Sequence, residues 1–197
     1  TSDITLLHCF GTCDTDGSCP DGSIGLMLQG IIDFSVPEGG SSGKAIHLYV
    51  TDDIEDLALY GIGVANNGGG TDGQEYTLPT AAPTAGQHIL VVRDLEAMDS
   101  YLNASEIFDH VFVSESTDIS QNGDDAIELY YLGGVIETFG DVNLDGTNQD
   151  WEYSDSWAYK VNGEWTYGGV NCTDNSTTSC ESDCPYPFAD CTGDDLA

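Results

Sequence analysis

Short apolar runs alternate along this chain with clusters of Gly, Asn, Asp and Ser, and only one stretch carries a helical period. Residues 25–36, GLMLQGIIDFSV, read as a strand interrupted at Gly30, and residues 37–43 as a flexible turn. In KAIHLYV, residues 44–50, Ile46, Leu48 and Val50 fall on one face and Ala45, His47 and Tyr49 on the other. Both faces are apolar, as a central strand requires. LALYGIGVANNGGG, residues 57–70, begins as a strand and ends in a glycine run, a loop using backbone angles that other residues avoid. EYTLP, QHILVVRD and HVFV continue the series, and the second is continuous enough to be buried on both faces. The single predicted helix spans 94–103, with Asp94 placed to cap it and Leu95, Met98 and Leu102 recurring at helical spacing.

Two hairpins close the pattern. In residues 125–140 the turn is expected at Gly133 and Gly134, and in residues 157–169 at Asn162-Gly163, a strong type I′ signal. Trp157, Tyr159 and Val161 share a face of the second hairpin, and Trp165 and Tyr167 lie across its turn, which predicts cross-strand aromatic pairing. Short strands with frequent turn signals define an all-β sandwich with one short helix.

Composition changes this picture at four points. A chain of 197 residues that is 40% hydrophobic can bury one sizeable core, and its ten Tyr, six Phe and three Trp argue against disorder. Against 35 acidic residues stand only Lys44, Arg93 and Lys160, a formal charge of -32 that repels nucleic acid and anionic membranes. A salt-adapted surface and a secreted protein among divalent cations both account for such acidity, and both imply weak self-association at low salt. No apolar run reaches the ~18 residues of a membrane span, so membrane insertion is not expected.

Cysteine supplies the third change. Cys9, Cys13 and Cys19 lie near the start, and Cys172, Cys180, Cys184 and Cys191 near the end, with none between. Their spacings lack the C-x2-C knuckles of structural zinc, so disulfide staples in Cys-rich terminal extensions are the expectation. The seventh cysteine is free or pairs with another chain. Fourth, Asn103, Asn171 and Asn175 each open an N-x-[ST] glycosylation sequon. Sequons, cysteines and the absence of an opening Met suggest a secreted, extracellular glycoprotein in mature form. The resulting division is an extension over 1–24, a sandwich over 25–170 and a glycosylated extension over 171–197.

The sharpest chemical motif is GDVNLDGTNQDWE. Asp141, Asn143 and Asp145 take the first, third and fifth places of a calcium loop, with Gly146 sixth, the Thr147 carbonyl seventh, Gln149 or a water ninth and a bidentate Glu152 twelfth. The flanking segments read as strands, so the helical frame of an EF-hand is missing, and Asp and Asn also populate plain turns. Calcium and a metal-free turn therefore both stand. Asp14, Asp16 and Asp21, the pair Asp52 and Asp53, and the pair Asp124 and Asp125 read as solvated turns. His8, His47, His88 and His110 lie in no catalytic motif, and His47 and His88 sit in apolar strands as hydrogen-bonded structural residues would. Trp151, Trp157, Trp165 and Tyr167 allow a sugar-stacking platform, with packing as the ordinary account.

KAIHLYV, ANNGGGTDGQEYTLP and NGDDAIELYYLGGVIETFGDVNLDGTNQDWEYSDSWAYK together resemble the lamin-tail-like domain of secreted and cell-surface proteins, over roughly residues 26–160. Ser156 and Lys160 stand where that pattern has Gly and Arg. The resemblance implies an immunoglobulin-like β-sandwich that binds or positions and does not catalyse. The leading expectation is a structural or adhesive module without enzymatic activity, forming a filament or matrix with copies of itself or with extracellular surface components. A calcium-dependent module for carbohydrate or protein is the alternative, and an accessory domain or cryptic hydrolase the third.

Overall fold

A strand with two apolar faces needs cover on both, and β2 (Gly43–Val50) receives it. The computed structural model describes residues 24–114 and 117–192. β1 (Leu26–Phe34) and β5 (His88–Val92) flank β2, and β9 (Ser156–Val161), β10 (Glu164–Tyr167) and β6 (His110–Val113) complete a six-stranded sheet in the order β10-β9-β1-β2-β5-β6. Its pairings are antiparallel except β5 with β6. The second sheet has four strands ordered β4-β3-β7-β8, from β3 (Tyr60–Ala65), β4 (Tyr76–Thr77), β7 (Ala126–Tyr131) and β8 (Gly134–Phe139). The chain is an all-β sandwich.

Between the sheets lie Leu28, Ile31, Ile46, Leu48, Ile89 and Val91 from one side and Ile62, Val64, Ile127, Leu129 and Phe139 from the other. The outer face of the six-stranded sheet carries a second core, where Ile32, Ala45, Leu90 and Val92 pack under α1 (Leu95–Leu102), α2 (Ala104–Ile107) and Tyr186 of the C-terminal segment. That segment is tied by Cys172–Cys184 and Cys180–Cys191. The cysteines at 9, 13 and 19, with His8, lie outside the described residues.

Local chemistry explains the elements. Asp94 caps α1 by accepting from the Ala97 N–H at 3.1 Å, and Asn103 ends it in the left-handed region at φ 55°. That reversal starts α2 at once, a four-residue turn too short for periodicity to announce. Gly30 follows a bulge at Leu28/Gly30, and the Tyr186 hydroxyl lies 2.0 Å from where a Cβ would stand, so this position excludes a side chain.

Two hairpin details differ from the expected ones. The first turn is Leu132-Gly133, at φ 50° and 78°, because Tyr131 pairs with Gly134 and closes the ladder one residue earlier. The second turns at Asn162-Gly163 as its sequence requires, but its register sets Trp165 opposite Lys160 and Tyr167 opposite Ala158. A two-residue turn opposes odd with even positions here, so Trp157 and Tyr159 face the outer core while Trp165 packs on the inner one. Direct cross-strand aromatic pairing is absent from this hairpin for that reason.

His47 is fully buried between the sheet and the C-terminal segment, with Nδ1 2.9 Å from the Tyr186 hydroxyl and Nε2 2.8 Å from His88 Nδ1. Burial, reinforced by His88, holds the His47 pKa well below 6.5, and burial lowers that of His88 against the opposing pull of Asp109. Both rings thus stay neutral in the fold. The stability linked to them is complete above pH 6.5 and is lost as pH falls through their depressed values. The melting temperature of His88→Gln should therefore fall less than that of the wild type between about pH 6.5 and 5 in parallel thermal melts. Identical profiles would remove His88 as a source of acid sensitivity.

Candidate functional site

One end of the sandwich gathers three loops, residues 66–75, 120–125 and 140–155, around the NGDD motif. Gly123, at φ 96°, lies under Ser154, whose Cα is 2.2 Å from where a Cβ would be, so only glycine admits this crossing. Asp125 is completely buried and accepts from the N–H groups of Asn67 at 2.7 Å and Asn122 at 3.1 Å. Its carbonyl accepts from the Tyr153 hydroxyl at 2.9 Å. Burial raises its pKa, and the two backbone bonds oppose that rise. Asp124 accepts from the Thr147 hydroxyl at 2.8 Å and, through its carbonyl, from the Gly146 N–H. The pair expected to be a solvated turn is half so: Asp125 is an interior fastener for the loops.

The Asp141 loop is organised by its own backbone. Asp141 accepts from the Asn143 N–H at 2.9 Å, Asp145 from the Thr147 N–H at 2.9 Å, and Glu152 from the Asn148 N–H at 2.6 Å and the Ser154 hydroxyl at 3.1 Å. Hydrogen bonds from Thr147 hold the Asp145 carboxyl below its ordinary pKa. Asn143, Thr147 and Gln149 are exposed. Among the described residues no group of three or more His, Cys, Asp or Glu side chains is arranged to hold a metal ion. Glu152 serves as a cap within its loop here, and the Asp141, Asp145 and Glu152 carboxylates are engaged in separate turns.

The same loop positions an aromatic cluster. Trp151, held over Gly140 and Gly146, meets the Phe139 ring edge-on at 5.9 Å, and Trp165 of β10 meets it at 4.7 Å. Tyr153 adds a third edge contact at 5.4 Å from beneath. Lys160 Nζ lies 4.9 Å from the centre of the Trp165 ring and donates to Glu137, whose other oxygen accepts from the Leu28 N–H at 2.8 Å. Lysine over indole is a favourable cation–π arrangement. Tyr167 is exposed beyond them. Trp157 is elsewhere: it is 8% exposed in the outer core and donates to the Cys184 carbonyl. The structure thus brings Trp151 and Trp165 together on Phe139, with Glu137 and Lys160 beside them, leaves Tyr167 exposed on β10, and places Trp157 elsewhere. Phe139 was hidden in the sequence because its role depends on contacts between the two sheets.

The remaining candidates are dispersed. Asp52 is exposed and Asp53 accepts from the Ala85 N–H, while Asp14, Asp16 and Asp21 lie outside the described residues. Asn103, Asn171 and Asn175 are exposed, each with positive φ. The Thr173 hydroxyl of the second sequon is buried, donating to the Asp155 carbonyl and accepting from the Ser35 N–H. Grooves of about 430 and 280 Å³ flank Pro37, lined by hydroxyls, carboxylates and Asn175, with neither histidine nor cysteine. No helix among the described residues is long and apolar enough to cross a membrane.

An acidic, disulfide-bonded β-sandwich with a loop-and-aromatic end is the class these features define. Compared with known proteins, the chain matches no family model, no curated protein and no solved structure.

Proposed function

We propose that this chain is a secreted, non-catalytic structural or adhesive module of lamin-tail-like type, whose copies associate along one lateral side of the sandwich. The observation that carries the reading is the position of β8 and β10. They are the terminal strands of their sheets, they meet across the core where Phe139 touches Trp165, and among the described residues their outer edges are unpaired. Unpaired edges are templates for further strands. Among the described residues, Leu132, Val135, Leu144, Val161, Tyr167 and Val170, six of the eight large apolar residues that are exposed, come from the two closing hairpins and their adjoining loops.

The cysteine arithmetic favours the same reading. Four of seven cysteines are joined in two bonds within the C-terminal segment, so any link to another chain falls to Cys9, Cys13 and Cys19, of which at most two can pair with each other. A net charge of -32 keeps copies apart until salt screens it. Sedimentation should accordingly show monomers at low ionic strength and larger species at about 0.5 M salt, where the Debye length falls well under 10 Å. Val135→Thr with Tyr167→Ser, which leaves the charge unchanged, should shift that transition toward the monomer. A monomer under every condition, millimolar calcium included, would sink the reading.

A second reading is a calcium-dependent carbohydrate- or protein-binding module. Trp151 favours it, because the residue belongs to the Asp141 loop yet stands in the aromatic cluster, so an ion ordering the loop would also order the rings. Free calcium at ~100 times its Kd should stabilise the fold by about 2.7 kcal/mol over chelator. Equal melting temperatures with calcium and with chelator would count against it.

A further inference from the structure

Lys44 is 6% exposed, a cation taken into the interior, and it stands directly opposite Asp33 in the β1–β2 ladder. Its Nζ is 2.7 Å from Asp33 Oδ1 and also donates to the main-chain carbonyl of Gln121. The two side chains are 7% and 10% exposed. Around them close Gln121, whose amide donates to the carbonyls of Ile32 and Ala45, and Asp155, whose N–H donates to the Asp33 carboxyl. The Asp155 carboxyl interacts electrostatically with both members of the pair and accepts from Ser35.

We propose that Lys44 and Asp33 are the two halves of an intramolecular amide bond, formed without any other protein once the sandwich has folded. Burial makes the ionised pair expensive to keep in a dry interior. Desolvation indeed raises the Asp33 pKa in spite of the attraction of Lys44. Transfer of one proton from the ammonium to the carboxylate leaves a neutral amine against a neutral acid, and the charge penalty disappears. The Nζ lone pair then attacks Asp33 Cγ, a C–N bond forms, and the Cγ–OH bond breaks. Asp155 takes the proton from Nζ and returns one to the departing hydroxyl, which leaves as water. The step needs no oxidant and no cofactor.

The surroundings suit the product as well as the reactants. The amide N–H keeps the Gln121 carbonyl as its acceptor, and the amide oxygen keeps the Asp155 N–H as its donor. Two buried charges are removed. Effective concentrations in fixed contact pairs of this sort are very high, which is why a reaction that is slow in water proceeds here.

The chain's scarcity of basic residues makes the test simple. Trypsin has only Lys44, Arg93 and Lys160 to cut after, so the denatured, reduced chain yields four fragments when Lys44 is free. An acylated lysine is not cut. The expected digest therefore has three fragments, the first running from 1 to 93 and lighter than its sequence by one water. Asp33→Ala should restore the cut, and Asp155→Asn, which tolerates the left-handed backbone at φ 45°, should leave most of Lys44 cleavable with the fold intact by circular dichroism. Wild-type protein cut at Lys44 into fragments of unaltered mass would overturn the proposal. Complete amide formation in Asp155→Asn would overturn the role given to Asp155.

Discussion

Phe139→Ala should lower the free energy of unfolding by about 3–5 kcal/mol, the range for deleting a buried aromatic side chain. Phe139 is 1% exposed and is the common partner of three rings, Trp151, Tyr153 and Trp165. Removing it leaves a cavity where β8, β10 and the Asp141 loop meet, and the sheets cannot close on it without giving up their register. Denaturant unfolding followed by tryptophan fluorescence measures both consequences at once. The midpoint should drop at nearly constant slope, and the native emission should move to the red as Trp151 and Trp165 gain water. Phe139→Leu should retain most of the stability, because a volume close to the original costs less than about 1.5 kcal/mol. A loss below about 1 kcal/mol with unchanged emission in Phe139→Ala would show that the aromatic cluster is not built on this ring. The same variant bears on function, since assembly and ligand binding are both proposed for this side of the sandwich.

Replacing Cys172 and Cys184 together by serine is expected to cost about 2–4 kcal/mol. The bond holds down the segment that covers the outer core: Trp157 donates to the Cys184 carbonyl, Tyr186 is 1% exposed against Phe34 and His47, and Gly168 lies against Cys172. The double variant at Cys180 and Cys191 is the control. Their sequence separations, 12 and 11, are nearly equal, so the chain-entropy part of the two bonds is almost the same. Any excess loss at Cys172–Cys184 therefore reports packing. Limited proteolysis under native conditions should release the C-terminal segment from the first variant earlier than from the second. Equal stability losses and equal proteolysis would contradict the importance of the covering layer.

Much of the architecture was readable in the order of residues because most strands declare themselves locally. Asp94 with its 3-4 apolar spacing marks α1, Asn162-Gly163 marks a two-residue turn, and the doubly apolar run around Leu90 marks a strand buried on both faces. The candidate site was less readable. The Asp141 loop shows ligand types at ligand spacing, yet three of its carboxylates accept from nearby N–H groups, an outcome of local turn geometry that spacing does not reveal. Asp125 looks in sequence like its neighbour Asp124, and only the approach of Asn67 and Asn122 separates a buried fastener from a half-exposed cap.

By itself the sequence determined the sandwich class, the position of the main helix, the net charge, and the residue types available at each loop. These follow from periods of two and 3.6 residues, from turn chemistry and from simple counting, all of which act within a few positions of the chain. Only the tertiary structure decided which aromatic rings meet, how the four C-terminal cysteines pair, and that Lys44 stands against Asp33 in a dry interior. Each of these is a contact across strands or layers, and the burial that gives it chemical meaning exists only after the sheets have closed.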